Sequence, residues 1–245
     1  MSLFCRGGYA ALILGAIALG GCSNLTSPLP SPGSAVREAG KSGGALLYIS
    51  DVAAGTVSFY SYPGLALKGE ISNFKHPGPL CTDPRTGNVW VISGINSYRL
   101  SEFAHGAIKP IRTLKFAPFD DLLEGCAVNP VNGDLAVTEL TQYDDAGALV
   151  LFHGGTGKPT AYQSGNLFYY DFVGYDSAGD AFVDGGGLGD GTSLDELPAG
   201  GKKLLNVTPR HWPLRPPAAG GVEYDGADVA VGGLKHGLVF QISDR

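Results

Sequence analysis

The sequence predicts an all-β protein, and three observations support this fold class. A strand-turn-strand pattern, first seen complete in residues 78–91, returns along the chain at a nearly constant interval. Charged residues make up only 16% of the chain whereas glycine occurs 38 times, which is typical of many short strands joined by tight turns. No long amphipathic pattern with helix caps follows the N-terminal region. A regular period of this kind indicates an array of supersecondary units.

The interval of the repeat is measured from the polar residue that opens the second strand of each unit. These residues are Asn88, Asp134, Asp180 and Asp228. Their spacings are 46, 46 and 48 residues. Four short antiparallel strands in about 46 residues form the blade of a β-propeller, because a single blade has apolar faces that only stacked neighbours can bury. The predicted fold is therefore a β-propeller with about five blades present.

The first 21 residues are predicted to be a signal peptide. A short cationic start is followed by the apolar run Ala10–Leu19 and by small residues. The segment Leu19-Gly20-Gly21-Cys22 resembles the lipobox of bacterial lipoproteins, which implies cleavage before Cys22 and diacylation of its thiol. The alternative is an ordinary secretory signal with a chance cysteine. The resemblance implies an exported, membrane-anchored lipoprotein, on the periplasmic side of an outer membrane or on the cell surface.

Residues 22–44 are predicted to be a tether between the lipid anchor and the folded domain. They are rich in Ser, Pro and Gly and have almost no apolar clustering, so they cannot bury enough surface to offset the entropy of ordering. In the lipoprotein family a serine such as Ser23 directly after the cysteine is compatible with export to an outer membrane.

Residues 45–245 are predicted to form the propeller domain. Alternating apolar positions and turn residues predict its strands. The predicted strands are Leu46–Ser50, Thr56–Tyr62, Ala66–Ser72, Pro79–Asp83, Asn88–Ser93, Ser97–Phe103, Lys109–Leu114, Cys126–Asn129, Asp134–Glu139, Ala148–His153, Pro159–Gln163, Phe172–Tyr175, Asp180–Asp184, Thr192–Leu197, Lys202–Val207, Val222–Tyr224, Asp228–Val231 and Gly237–Ile242. The segments 116–123 and 210–220 are interpreted as long inserted turns.

The repeat also predicts which residues are equivalent in the core. The valine three residues after each marker should be a buried strand position in every blade. These valines are Val91, Val137, Val183 and Val231.

The repeats resemble those of NHL-like and TolB-like propellers, in which an inner strand ends in Asp or Asn and is followed by a glycine-containing turn and a second strand. On this alignment the first blade lacks its inner strand and the fifth lacks its outer one. Most propellers close by completing one blade with both termini, which removes exposed sheet edges. Two interpretations are open: the chain is a fragment of a longer, six-bladed protein, or its ring closes in an unusual way.

Two cysteines, Cys81 and Cys126, fall in neighbouring inner strands. Their positions are one residue out of phase, so they are expected to point to opposite faces of their sheets and to remain free thiols. The alternative is a disulfide, which an exported protein permits. The five histidines lack the spacing of a metal site and are expected at the surface.

The segment from Asp184 to Gly191 is a candidate metal site. Asp184 and Asp190 flank a glycine run, and two carboxylates together with backbone carbonyls could coordinate Ca²⁺ or another divalent metal. The alternative is a turn between two blade strands without a cofactor. The segment lacks the acidic alternation of an EF-hand loop.

The residues that end the inner strands allow a second site. These residues are Asp83, Asn129, Asp176 and Asp225. In gluconolactonase-like propellers, acidic and amide side chains converge near the axis on one divalent metal, and that resemblance implies a lactonase-like hydrolytic enzyme. Each of the four also stands beside a turn signal, so each can cap its own turn instead. The repetition in every blade favours the turn-capping interpretation.

The function predicted from the sequence is a binding or protein-interaction module, with an unknown protein or small molecule as ligand and no catalysis of its own. The alternative is the metal-dependent hydrolase. A net charge of −6 and only 17 scattered Lys and Arg residues exclude a nucleic-acid-binding surface. No nucleophile elbow or phosphate-binding loop is present in the sequence.

Overall fold

The computed structural model is a five-bladed, all-β propeller, as the repeat predicts. The residues that it describes are 44–95, 97–116, 122–140, 146–187, 191–208, 219–233 and 238–243. Five small antiparallel sheets follow one another along the chain, three of them with four strands and two with three. No helix within these described ranges is long and apolar enough to cross a membrane.

Each blade is formed by strands that are consecutive in sequence and are separated by short segments of the chain. Blade 1 contains β1 (Leu46–Asp51), β2 (Thr56–Ser61) and β3 (Leu67–Ile71). Blade 2 contains β4 (Pro77–Thr82), β5 (Val89–Gly94), β6 (Tyr98–Phe103) and β7 (Pro110–Phe116), and blade 3 contains β8 (Leu122–Val128), β9 (Leu135–Leu140), β10 (Ala148–Phe152) and β11 (Thr160–Tyr162). Blade 4 contains β12 (Val173–Tyr175), β13 (Ala181–Gly186), β14 (Thr192–Leu197) and β15 (Leu205–Asn206), and blade 5 contains β16 (Ala219–Tyr224), β17 (Asp228–Gly233) and β18 (Leu238–Ser243).

The core lies between the blades. Four clusters of buried apolar side chains each combine residues from neighbouring sheets, such as Val57 with Val91 and Phe152 with Ile92. The repeat correctly predicts the buried valines: Val91, Val137, Val183 and Val231 each have a relative exposure of 0%. The four valines are equally buried because each lies on the second strand of its blade, and that strand lies between two other strands or faces an adjacent sheet.

The three-stranded blades match the alignment of the repeat. β1 contacts β4, the inner strand of the next blade, just as β13, the second strand of blade 4, contacts the inner strand β16. The Tyr48 hydroxyl also accepts a hydrogen bond of 2.7 Å from the Gly106 N–H of blade 2. Among the described residues, therefore, blade 1 has its second to fourth strands, and blade 5 has its first to third.

The expectation of free thiols at Cys81 and Cys126 is wrong, because the two form a disulfide with their Cα atoms 5.7 Å apart. The phase argument assumed that residues on opposite faces of their sheets cannot meet. In a propeller, however, blade 2 presents one face to blade 3, and blade 3 meets it with the opposite face of the equivalent sheet. An offset of one residue between β4 and β8 therefore brings the two side chains together.

Candidate functional site

The inner strands line the channel of the propeller. β4 contacts β8, β8 contacts β12, and β12 contacts β16. The inner strands of four successive blades therefore form one continuous wall, and residues far apart in sequence meet along it.

Three inner strands, β4, β8 and β16, begin earlier than the sequence indicates, because each is interrupted by an irregularity in its pairing with the second strand. The shifts lie between Pro77 and Leu80, between Leu123 and Cys126, and between Ala219 and Val222. Such bulges re-aim side chains and are frequent beside functional sites. They recur at one level of the channel, so blades 2, 3 and 5 contribute irregular backbone to the same region.

Two polar side chains on the second strands form hydrogen bonds with inner-strand backbone groups at this level. Thr138 Oγ1 accepts a hydrogen bond of 2.8 Å from the Gly125 N–H and donates one of 2.8 Å to the Asp171 carbonyl. Asp184, at the equivalent position of the next blade, accepts the Phe172 N–H through Oδ1 at 3.0 Å. Buried backbone groups of this kind need such partners.

Gly125 allows blades 3 and 4 to approach closely. A Cβ atom there would lie 2.9 Å from the Asp171 carbonyl oxygen and 3.1 Å from the Phe172 Cα atom. A side chain would therefore separate the two inner strands at the level of the irregularities.

A cavity of about 480 Å³ opens at this level. Its volume falls within the range of small-molecule sites. The lining residues come from blades 2 to 5 and are mainly small or apolar: Pro79, Leu80, Glu124, Gly125, Cys126, Phe172, Gly220, Gly221, Val222, Glu223, Ala230, Gly232 and Val239. Ala230 and Val239 form part of this wall. They lie on the free face of blade 5, which is the face that does not pack against blade 4.

Carboxyl groups are the ionisable groups of this region. Glu124 and Glu223 line the cavity, and both side chains are accessible from it. Partial burial of each carboxyl group raises its pKa. Burial and the neighbouring charge of Glu124 raise the pKa of Asp171 to about 6. Burial is also the main cause that raises the pKa of Asp184 to about 7, with the charge of Asp171 acting in the same direction.

Asp184 lies behind the cavity wall and is 2% exposed. The N–H groups of Phe172 and Gly220 oppose the rise of its pKa. None of the described residues, however, donates a well-formed hydrogen bond to Oδ2. A protonated carboxylic acid suits such a position better than a carboxylate, since burying an unpaired charge costs more than burying a neutral group.

Asp184 should make the stability of the protein depend on pH. Its pKa rises from 3.8 to about 7 on folding, so the native state holds a proton that the unfolded state releases. The stabilisation is complete below about pH 4 and is lost as the pH rises to about 7. We expect Asp184→Asn to remove most of this fall in the free energy of unfolding, measured by urea titration across that range. Glu70→Gln, on the exposed strand β3, should retain it, and parallel curves for wild type and Asp184→Asn would contradict the assignment.

The second half of the candidate calcium site lies outside the described residues. Asp184 belongs to β13, which extends through Gly185 and Gly186, whereas Asp190 falls in the gap at 188–190. Gly185 is required there because a Cβ atom would overlap the Tyr169 carbonyl oxygen. In the part of the chain that the structure describes, no group of three or more His, Cys, Asp or Glu side chains could hold a metal.

The four inner-strand Asx residues each accept a hydrogen bond within their own turn. Asp83 Oδ1 accepts the Arg85 N–H at 2.9 Å, and Asn129 Oδ1 accepts the Val131 N–H at 2.8 Å. Asp176 Oδ1 accepts the Ala178 N–H at 3.0 Å. Asp225 Oδ1 accepts the Ala227 N–H at 2.9 Å. The Oδ1 atom of each is thus engaged by a local backbone donor, as Asx turns require.

Two of the markers at the start of the second strands, Asp134 and Asp180, have a different role, which the sequence did not indicate. Asp134 accepts the Gly154 N–H at 2.7 Å and lies 3.1 Å from Nδ1 of His153, whose Nε2 is 3.3 Å from Thr160 Oγ1. Asp180 likewise accepts the Ala199 N–H at 2.6 Å. In both blades the carboxylate connects the turn before the second strand to the turn after the third strand. The arrangement of Asp134, His153 and Thr160 is therefore part of a structural contact that recurs in the next blade.

A comparison with models of known protein families finds no match, and a comparison with curated proteins finds no significant similarity. The resemblance to NHL-like and TolB-like repeats and to lipoproteins therefore stays a prediction from the sequence. The propeller fold itself is consistent with a binding or interaction module.

Proposed function

We propose that the protein is a lipid-anchored, extracytoplasmic binding module that takes a small molecule into the channel cavity. The cavity carries this proposal, because it has the volume of a ligand site, mostly apolar walls and a few polar groups. The irregular backbone at its level, contributed by blades 2, 3 and 5, is the second supporting feature.

The disulfide supports the extracytoplasmic part of the proposal. Disulfides persist in oxidising compartments and are rare in the cytosol of most organisms. The Cys81–Cys126 pair therefore agrees with export, which the signal-peptide pattern and the lipobox-like Cys22 predict from the sequence.

Blocking the cavity should abolish ligand binding. Ala230 lines the cavity on the free face of blade 5, so a phenylalanine there would occupy the space without entering the core between blades 4 and 5. We expect compounds that bind the full chain in a saturation-transfer NMR screen to lose their signal with Ala230→Phe. Lys68→Phe, which adds the same ring on the exposed strand β3, is the matched control. Equal signals from both variants would contradict a site in the channel.

Replacing the lipid acceptor should release the protein from the membrane. Cys22→Ala removes the thiol that the lipobox resemblance identifies as the acylation site, so we expect complete loss of incorporated fatty acid. Metabolic labelling with a radioactive fatty acid, followed by membrane fractionation, measures both effects. Cys5→Ala, within the predicted signal peptide, should leave labelling unchanged, and labelling that survives Cys22→Ala would exclude this anchor.

A further inference from the structure

The cavity has an unbalanced charge. Glu124 projects from the irregular part of β8, and Glu223 lies on the free face of blade 5, where it is paired across the sheet with Ala230. The lining contains no Lys, Arg or His, and neither glutamate forms an ion pair or hydrogen bond within the described part of the chain. Two carboxylates therefore face the same space, and no described Lys, Arg or His lines it with them.

Asp171 strengthens this negative field. It lies next to Glu124 and is coupled to it electrostatically. Low-dielectric walls concentrate such a field, so a cation entering the cavity would relieve the repulsion among these groups.

The rest of the wall limits the kind of cation. Leu80, Phe172, Val222 and Val239 provide apolar surface, whereas a hard metal ion needs several oxygen ligands converging on one point. The described residues contain no such convergence of acidic, His or Cys side chains. An organic cation with an apolar body matches both features, since its charge can approach the glutamates while its hydrocarbon part contacts the walls.

We propose that the cavity binds organic amines that are positively charged at neutral pH and carry an apolar group, with Glu124 and Glu223 as the recognition residues. This inference rests on the proposed small-molecule function and specifies its ligand class. Binding replaces the hydration of the amine by two carboxylates on different blades, and the apolar group fills the remaining volume.

Three probes of the same shape and different charge test the proposal: benzylamine, benzyl alcohol and benzoate. Each is titrated into the full chain at low ionic strength, with the amide signals of Gly125 and Gly221 followed by NMR. We expect benzylamine to bind about tenfold more tightly than benzyl alcohol, and benzoate to bind most weakly. Glu124→Gln and Glu223→Gln should each weaken benzylamine about five- to tenfold and leave benzyl alcohol unchanged. Glu70→Gln, remote from the cavity, should change neither affinity.

The outcomes separate this inference from the function on which it rests. Equal binding of all three probes, insensitive to both glutamine variants but lost in Ala230→Phe, would overturn the amine preference and leave the cavity as a binding site. Benzylamine binding that survives Ala230→Phe would place the site elsewhere and overturn the inference. No response to any probe would overturn the inference, whereas the broader screen with Ala230→Phe would still decide whether the cavity binds other molecules.

Discussion

Val137→Asp should unfold the protein or come close to it. Val137 is fully buried in β9, where it pairs with Cys126 on one side and Val150 on the other, between blades 2 and 3. A carboxylate there would have no ion-pair partner, and we expect a loss of roughly 5 kcal/mol. For a domain of this size the melting temperature should fall by about 10–20 °C, measured by circular dichroism.

Val131→Asp is the matched control for this substitution. Val131 lies in the turn before β9 and is 62% exposed, so the same change there should cost less than about 0.5 kcal/mol. The equivalent substitutions at Val91, Val183 and Val231 should resemble Val137→Asp, because all four positions have the same burial. If Val137→Asp melts with the wild type, the assigned core between blades 2 and 3 is incorrect.

Removing the Cys81–Cys126 disulfide should produce the second large loss of stability. The bond joins the inner strands of neighbouring blades and closes a loop with a sequence separation of 45 residues. The loop-entropy relation gives about 4 kcal/mol for a loop of this length. We expect Cys81→Ala/Cys126→Ala to lower the midpoint of urea unfolding accordingly, with little change in its slope.

The reductant provides the control for altered packing in this variant. Dithiothreitol should destabilise the wild type to about the level of the double variant and have no effect on the double variant itself. Alkylation of the denatured, non-reduced wild type, followed by mass spectrometry of its peptides, should leave Cys81 and Cys126 unmodified. Alkylation of both cysteines under these conditions would show that the bond is absent.

The backbone conformations of the ligand-free and ligand-bound protein should differ most at the level of the channel where the inner strands pair irregularly. Glu124 and Gly220 lie where the pairing of an inner strand with the second strand is interrupted. Backbone groups in interrupted ladders reorganise at lower cost than those in a regular sheet. The proposed binding site therefore lies where the inner strands depart from regular pairing.

The repeat by itself determined the fold class, the number of blades and the buried valines. These depend on local properties: alternation with a period of two, turn residues such as Asp83-Pro84 and Asn132-Gly133, and a constant interval between equivalent positions. It missed the first residues of the inner strands, such as Leu122 of β8, because Gly and Pro near the irregularities resemble turn residues in the sequence.

Only the tertiary structure decided which residues from different blades meet. The sequence placed Cys81 and Cys126 on opposite faces, but stacking joins opposite faces of equivalent blades, so the two form a bond. Glu124 and Glu223 carry no local pattern that marks a site, and they share a cavity because β8 and β16 line one channel. The raised pKa of Asp184 likewise results from its burial behind Phe172. The glycine run that follows Asp184 in the sequence gives no sign of this burial. Local spacing specifies each blade, whereas the chemistry of the channel arises from the packing of blades around it.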